Sequence, residues 1–206
     1  MAHHIMNENE LADLFTQYSN YIALFKNPQL DQMVNELGER LLISTYSTKI
    51  EDGYCGPGSI LRFALDSFRF ANKMAKNLDT DILEMSRKSL AMITLLFPLG
   101  RLGDLENDQF IEQKSEWHRN KLGQLYDYNP HCPKMSVPHR TLFLLQHFGV
   151  QLTTEEMIGI LCSTGFHLEE NRFYLHNVSQ MVQLCIHAID MAYEREKYLS
   201  RQLLES

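Results

Sequence analysis

The amino-acid sequence predicts an all-α helical bundle that carries one small β-hairpin. Three observations lead there. Apolar residues recur at three- and four-residue spacing along most of the 206 residues, the pattern of helices that bury one stripe and expose the rest. Two capping boxes, Asn7 with Glu10 and Thr153 with Glu156, mark helix starts. In each, the first side chain and the acid three positions on take up each other's free backbone N–H groups. The long stretch between Gly103 and Pro138 differs in character, losing the helical period and holding Pro130, Pro133 and Pro138.

The elements follow in order. A first helix runs from the Asn7 cap to about Phe25, with Leu11, Leu14, Phe15, Tyr18, Tyr21 and Ile22 on one stripe. Pro28 suits the first position of a second helix, whose Leu30, Met33, Val34, Leu37, Leu41 and Leu42 share a face, because the proline's missing N–H is not needed there. Residues 44–57 read as loop through Asp52-Gly53 and Gly56-Pro57-Gly58. Third and fourth helices are expected over about residues 59–75 and 80–96, the latter stopping at Phe97-Pro98-Leu99-Gly100, where proline removes a donor and crowds the preceding turn. Residues 110–118 and 125–128 flank a polar turn, 119–124, and read as a β-ribbon. A fifth helix begins near His139 and a sixth runs from Thr153 to about Ser163. Residues 166–174 form a loop or short hairpin. The last helix starts near His176 and sets Val178, Met181, Val182, Cys185, Ile189 and Ala192 on one face; the charged residues 193–198 read as a solvated face.

Composition narrows the function classes. A chain of this length with 44% hydrophobic residues builds one sizeable core, removing roughly 70% of its unfolded surface from water. One domain is expected over residues 1–206, with 1–57 supplying N-terminal helices and 58–198 the main body. Cys55, Cys132, Cys162 and Cys185 form no CxxC pair, and no secretory leader is apparent, so free thiols and a cytoplasmic location are expected. The longest apolar run, residues 90–99, is half a membrane span and contains Pro98, so no membrane crossing is expected. The net charge of −7 argues against nucleic acid, since phosphate affinity comes chiefly from clustered Lys and Arg.

Four segments resemble the small HD-domain phosphohydrolases of phage and prophage sequences. Gly58-Ser59-Ile60-Leu61-Arg62-Phe63-Ala64-Leu65-Asp66 falls where that family reads Gly-Gly-Leu-Leu-Glu-His-Ser-Leu-Asn. Leu95-Leu96-Phe97-Pro98-Leu99-Gly100-Arg101-Leu102-Gly103 falls on Leu-Leu-His-Asp-Leu-Cys-Lys-Ile-Gly. Pro138-His139-Arg140-Thr141, followed by Ser163-Thr164-Gly165, resembles a region where the family often has a Gly-His upstream of the fifth helix and a Trp-His before the last Gly. His187-Ala188-Ile189-Asp190-Met191-Ala192 is similar to the closing His-x-Ala-Asp-x-x-Ala. The resemblance covers about residues 58–198, and it implies an HD-like bundle.

The same resemblance implies a lost metal site. HD enzymes hold divalent metals on His and Asp side chains, and the metals activate water and clamp a phosphate oxygen. Phe63, Phe97 and Pro98 occupy ligand positions without a lone pair to offer. Ser163 stands at the Trp-His position, and Asp190 is the ligand kept. His139 is a candidate surviving ligand, although counting back from Thr141 puts Val137 at the family position instead. His187 and Asp190 lie three apart on one helix and touch without a metal, and a half-buried, locally bonded carboxylate is the simpler reading of Asp190. His118, His131, His167 and His176 share no metal-ligand spacing. Arg62, Arg101 and Arg140 lie in or beside the site segments; converging, they would bind a phosphate or a nucleotide, and otherwise each pairs with a local acid.

The expected function is therefore that of a pseudoenzyme: no metal, no cofactor, no catalytic residue, and a binding or regulatory role toward a protein partner or a second copy of itself. In the phage-like setting that the resemblance implies, one form of this is an inhibitor of a host protein. The alternative is a metal-dependent phosphohydrolase with a rearranged site, and a third reading is a sensor that holds a nucleotide on the arginines.

Overall fold

The computed structural model describes residues 6–78 and 86–205 and is mostly helical. Helix α1 (Glu8–Ala23) starts on the Asn7 capping box, in which the Glu10 carboxylate accepts the Asn7 N–H at 2.8 Å. Helix α2 (Pro28–Ile43) carries its proline in the first turn under an Asn27 cap. A chain segment with a short 3-10 turn, Ile50–Asp52, leads to α3 (Ser59–Asn77). Helix α4 (Arg87–Leu96) begins under the Ser86 cap; the expected start near Thr80 lies outside the described residues. It runs straight into a tight 3-10 turn, Phe97–Arg101, opened by Pro98. Helical order therefore tightens at the proline instead of ending there.

The ribbon is real but smaller than expected. Strands β1 (Phe110–Glu112) and β2 (Tyr126–Tyr128) pair antiparallel in the register Phe110 with Tyr128 and Glu112 with Tyr126. Between them the expected polar turn is a helix, α5 (Glu116–Leu122). Ser115 caps it by accepting the His118 N–H, and Gly123 ends it at φ 57°, a left-handed geometry that suits a residue without a side chain. A seven-residue helix with no buried residue has no apolar stripe, which is why periodicity missed it.

The remaining helices are α6 (Val137–His147), α7 (Thr154–Leu161), α8 (Glu169–Arg172) and α9 (Gln180–Glu205). Two expectations change here. Residues 166–174 hold the short helix α8 and no strand, its Asn171 buried and donating to the Gly165 carbonyl at 2.7 Å. The last helix begins at Gln180 rather than near His176, with the Ser179 hydroxyl accepting the Val182 N–H. Helix α7 passes into a 3-10 turn, Cys162–Thr164. Among the described residues no helix is long and apolar enough to cross a membrane.

Three buried clusters hold the helices together. The largest joins α1, α2, α3, α4 and α6 through residues such as Tyr18, Leu30, Leu61, Leu95 and Leu144. A second joins the far end of α3 and α4 to the start of α9. The third is aromatic: Tyr54, Phe63 and Phe97 with Ile189 and Ala192, flanked by Tyr46, Phe70 and Tyr193. Helix α6 locks the Phe97–Arg101 turn from outside. The Thr141 hydroxyl donates to the Phe97 carbonyl at 2.8 Å and accepts the Gly100 N–H at 2.9 Å, so both orphan groups of a broken helix end are satisfied.

Candidate functional site

A cleft of about 550 Å³ opens where α3, the Phe97–Arg101 turn, the Cys162–Thr164 turn and α9 meet. Phe63 forms part of its wall, with Ser163 and Asp190 alongside. Phe97 lies behind Phe63, the two rings edge to face with centroids 4.9 Å apart and both nearly inaccessible to water. Tyr54 stacks on Phe63 at 4.4 Å and Tyr46 meets it edge-on at 4.7 Å. Such offset and edge-on pairs are attractive beyond their buried area. Pro98 is buried in the turn and outside the cleft lining. Four segments far apart in sequence thus deliver Phe63, Phe97, Ser163 and Asp190 to one place.

The three arginines do not converge. Arg62 is ion-paired to Glu196 on α9 and lies over the Tyr54 ring. Arg140 is 3% exposed and donates to the Gly100 carbonyl, the Gln109 side chain and the Pro133 carbonyl, bracing α6 against the loop before it. Of the three, Arg101 alone lines the cleft. His139 is exposed and bonded to Ser136, the cap of its own helix, and His187 is exposed on α9. Neither lines the cleft.

The C-terminal residues read as a solvated face turn out to shape the site. Asp190, Tyr193, Glu194 and Lys197 all line the cleft. Their spacing of three, four and seven from Asp190 is the spacing of one helix face, so the signal was present in the sequence. Tyr46 and His167, from loops, complete the wall; nothing in their local sequence announces this. Burial raises the Asp190 carboxyl above the usual aspartate range, aided by Glu194, while His167 and His187 act in the opposite direction. Burial likewise pushes the Tyr193 phenol up to about 12.

A divalent metal does not fit this set of donors. The phenyl rings of Phe63 and Phe97 and the ring of Pro98 offer no lone pair, leaving Asp190 and the Ser163 hydroxyl at the positions in question. Among the described residues, no group of three or more His, Cys, Asp or Glu side chains is placed to hold an ion. Compared with known proteins, the chain matches no family model, no curated protein and no solved structure.

Proposed function

We propose that this protein is a non-catalytic, HD-domain-like binding protein, in which the place of a metal centre is taken by an aromatic core under a ligand-sized cleft. The observation that carries the reading is the contact of Phe97 with Phe63, the ring that lines the cleft together with Asp190 and Ser163. All four stand at positions where the family resemblance calls for metal ligands or their neighbours, and they come from four separate elements. Two adjacent ligand positions changed to phenylalanine convert a polar site to core: each buried ring is worth about 1.5–3 kcal/mol relative to exposure, whereas a metal site needs lone pairs. Conversion of this kind removes water activation and leaves recognition. The acidic balance of the chain favours a partner or ligand with basic groups.

Metal titration separates this reading from a hydrolase with a rearranged site. Protein supplied with Mn, Fe, Ni, Mg and Zn is expected to carry far less than one ion per chain by elemental analysis, and to leave phosphate monoesters and nucleotides unhydrolysed. Near-stoichiometric metal that disappears in Asp190→Ala would overturn it.

A further inference from the structure

Two cations and two anions line the cleft, and none of them neutralises another. Arg101 and Lys197 are the cations, Asp190 and Glu194 the anions, and among the described residues none of the four takes part in an ion pair. The other inward-facing arginines each have a hydrogen-bond acceptor. Arg40 donates to Asp108 and three carbonyls, Arg62 to Glu196 although its Nε is left without a partner, and Arg140 to three oxygens. Arg101 has no hydrogen-bond acceptor among the described residues, and its Nε is buried without a partner. Its position is nevertheless fixed, because the guanidinium lies over the ring of Tyr46 at 5.0 Å and over that of Phe110 at 5.6 Å. Aromatic faces hold the cation by their quadrupoles and use up none of its N–H donors. Lys197 is held in the same manner, 5.6 Å from the Tyr193 ring.

A second observation comes from the other end. Ser163 is 5% exposed, lines the cleft, and has a buried hydroxyl oxygen with no hydrogen-bond partner. Buried polar groups are normally satisfied; of the buried side-chain atoms without a partner among the described residues, on Ser19, Arg62, Ser67, Arg101 and Ser163, those of Arg101 and Ser163 belong to residues that line this cleft. The Asp190 carboxylate stands at this end, one oxygen 3.8 Å from where a Cβ on Gly165 would lie, whereas Arg101 lies over Tyr46 and Lys197 beside Tyr193, two rings whose centroids are 6.4 Å apart. The cleft is therefore dipolar, cationic toward Tyr46 and anionic toward Ser163.

We propose that the cleft binds a small zwitterion, with its carboxylate on Arg101 and Lys197 and its ammonium group on Asp190 and Glu194. The inference rests on the non-catalytic reading, since it takes the cleft as a site of recognition. A guanidinium fork matches a carboxylate with two parallel N–H donors. A dianionic phosphate would meet two carboxylates in the same space, and a simple cation would meet Arg101 and Lys197. One molecule carrying both charges compensates both ends at once. The volume, about 550 Å³, lies within the roughly 300–1,000 Å³ of small-molecule sites.

Calorimetric titration of the full chain tests this with L-alanine, γ-aminobutyrate and ε-aminohexanoate, which set the two charges at increasing separation, against benzoate, butylamine and inorganic phosphate. One zwitterion is expected to bind saturably at one per chain, at least about 10-fold more tightly than any singly charged probe or phosphate, which is about 1.4 kcal/mol. Arg101→Gln and Asp190→Asn are each expected to weaken it by about 10-fold or more, while Arg195→Gln, exposed on α9 and outside the cleft, leaves it unchanged. Should Arg101→Gln fail to fold, Asp190→Asn carries the comparison. No saturable binding of any zwitterion, equal binding of benzoate or phosphate, or binding indifferent to both substitutions would overturn the proposal. That failure leaves the metal titration untouched, so a cleft without a zwitterion and a chain that is an enzyme after all are told apart.

Discussion

Phe63 and Phe97 are 1% and 2% exposed and touch each other, so their contribution is that of core residues. Truncation of Phe97 to alanine removes a ring that Phe63 packs against and leaves a void that the tight Phe97–Arg101 turn cannot collapse to fill. The expected cost is about 3–5 kcal/mol, read from the midpoint of a urea unfolding curve; a cost below about 1 kcal/mol would mean that the ring is dispensable. Asp190 behaves in the opposite sense. Its folded-state pKa is raised, chiefly by burial, so between the ordinary aspartate value and the raised one the folded protein binds more protons than the unfolded chain. Stability contributed by this group is then present at low pH and falls as pH rises through that window. Asp190→Asn is expected to melt no lower than the parent at pH 7, and the gap between the two melting curves should close on acidification. A variant that loses stability at pH 7 and gains none of that pH dependence would show that hydrogen bonding, rather than desolvation, governs the carboxylate.

At the scale of elements, the site depends on one junction. The Phe97–Arg101 turn carries Phe97 into the aromatic cluster and Arg101 to the cleft, and α6 presses on it at Gly100. A Cβ on Gly100 would run into the backbone carbonyl oxygen of Val137 and the Thr141 hydroxyl. Backbone cannot rotate away as a side-chain tip can, so α6 has to shift and the paired bonds from Thr141 to Phe97 and Gly100 stretch. Gly100→Ala is therefore expected to destabilise by about 1–3 kcal/mol or more and to weaken zwitterion binding with it, measured by denaturation and calorimetry on the same sample. Unchanged stability would mean that α6 and the turn are not in register as described. In the sequence Gly100 is only the last residue of the Phe97–Gly100 stop attributed to Pro98; its own constraint, close approach to α6, is visible only in the structure.

Across the whole molecule, α9 ties the parts together: it contributes to the second and third clusters, pairs Glu196 with Arg62 on α3, and presents Asp190, Tyr193, Glu194 and Lys197 to the cleft. The helical class, both capping boxes, the position of α1, α2, α3 and α7, and the existence of a ribbon were legible in the amino-acid sequence, because each is set within a few residues by apolar period, cap chemistry or proline. Helices α5 and α8 were not, since both are short, largely solvated and without a stripe, so caps and tertiary contacts decide them. The same division holds for the site. Phe63, Phe97, Ser163 and Asp190 were singled out through the family resemblance alone; the structure puts Phe63, Ser163 and Asp190 on one cleft and Phe97 against Phe63. That Arg62 pairs with Glu196 and Arg140 with backbone carbonyls, while Arg101 lies over two rings without an acceptor among the described residues, is decided only by tertiary structure. A sequence records which side chains carry charge, and local pattern places them on a helix or in a turn. Whether a charge is spent or free depends on which distant group folding brings within hydrogen-bond reach, a few ångströms that no local rule contains.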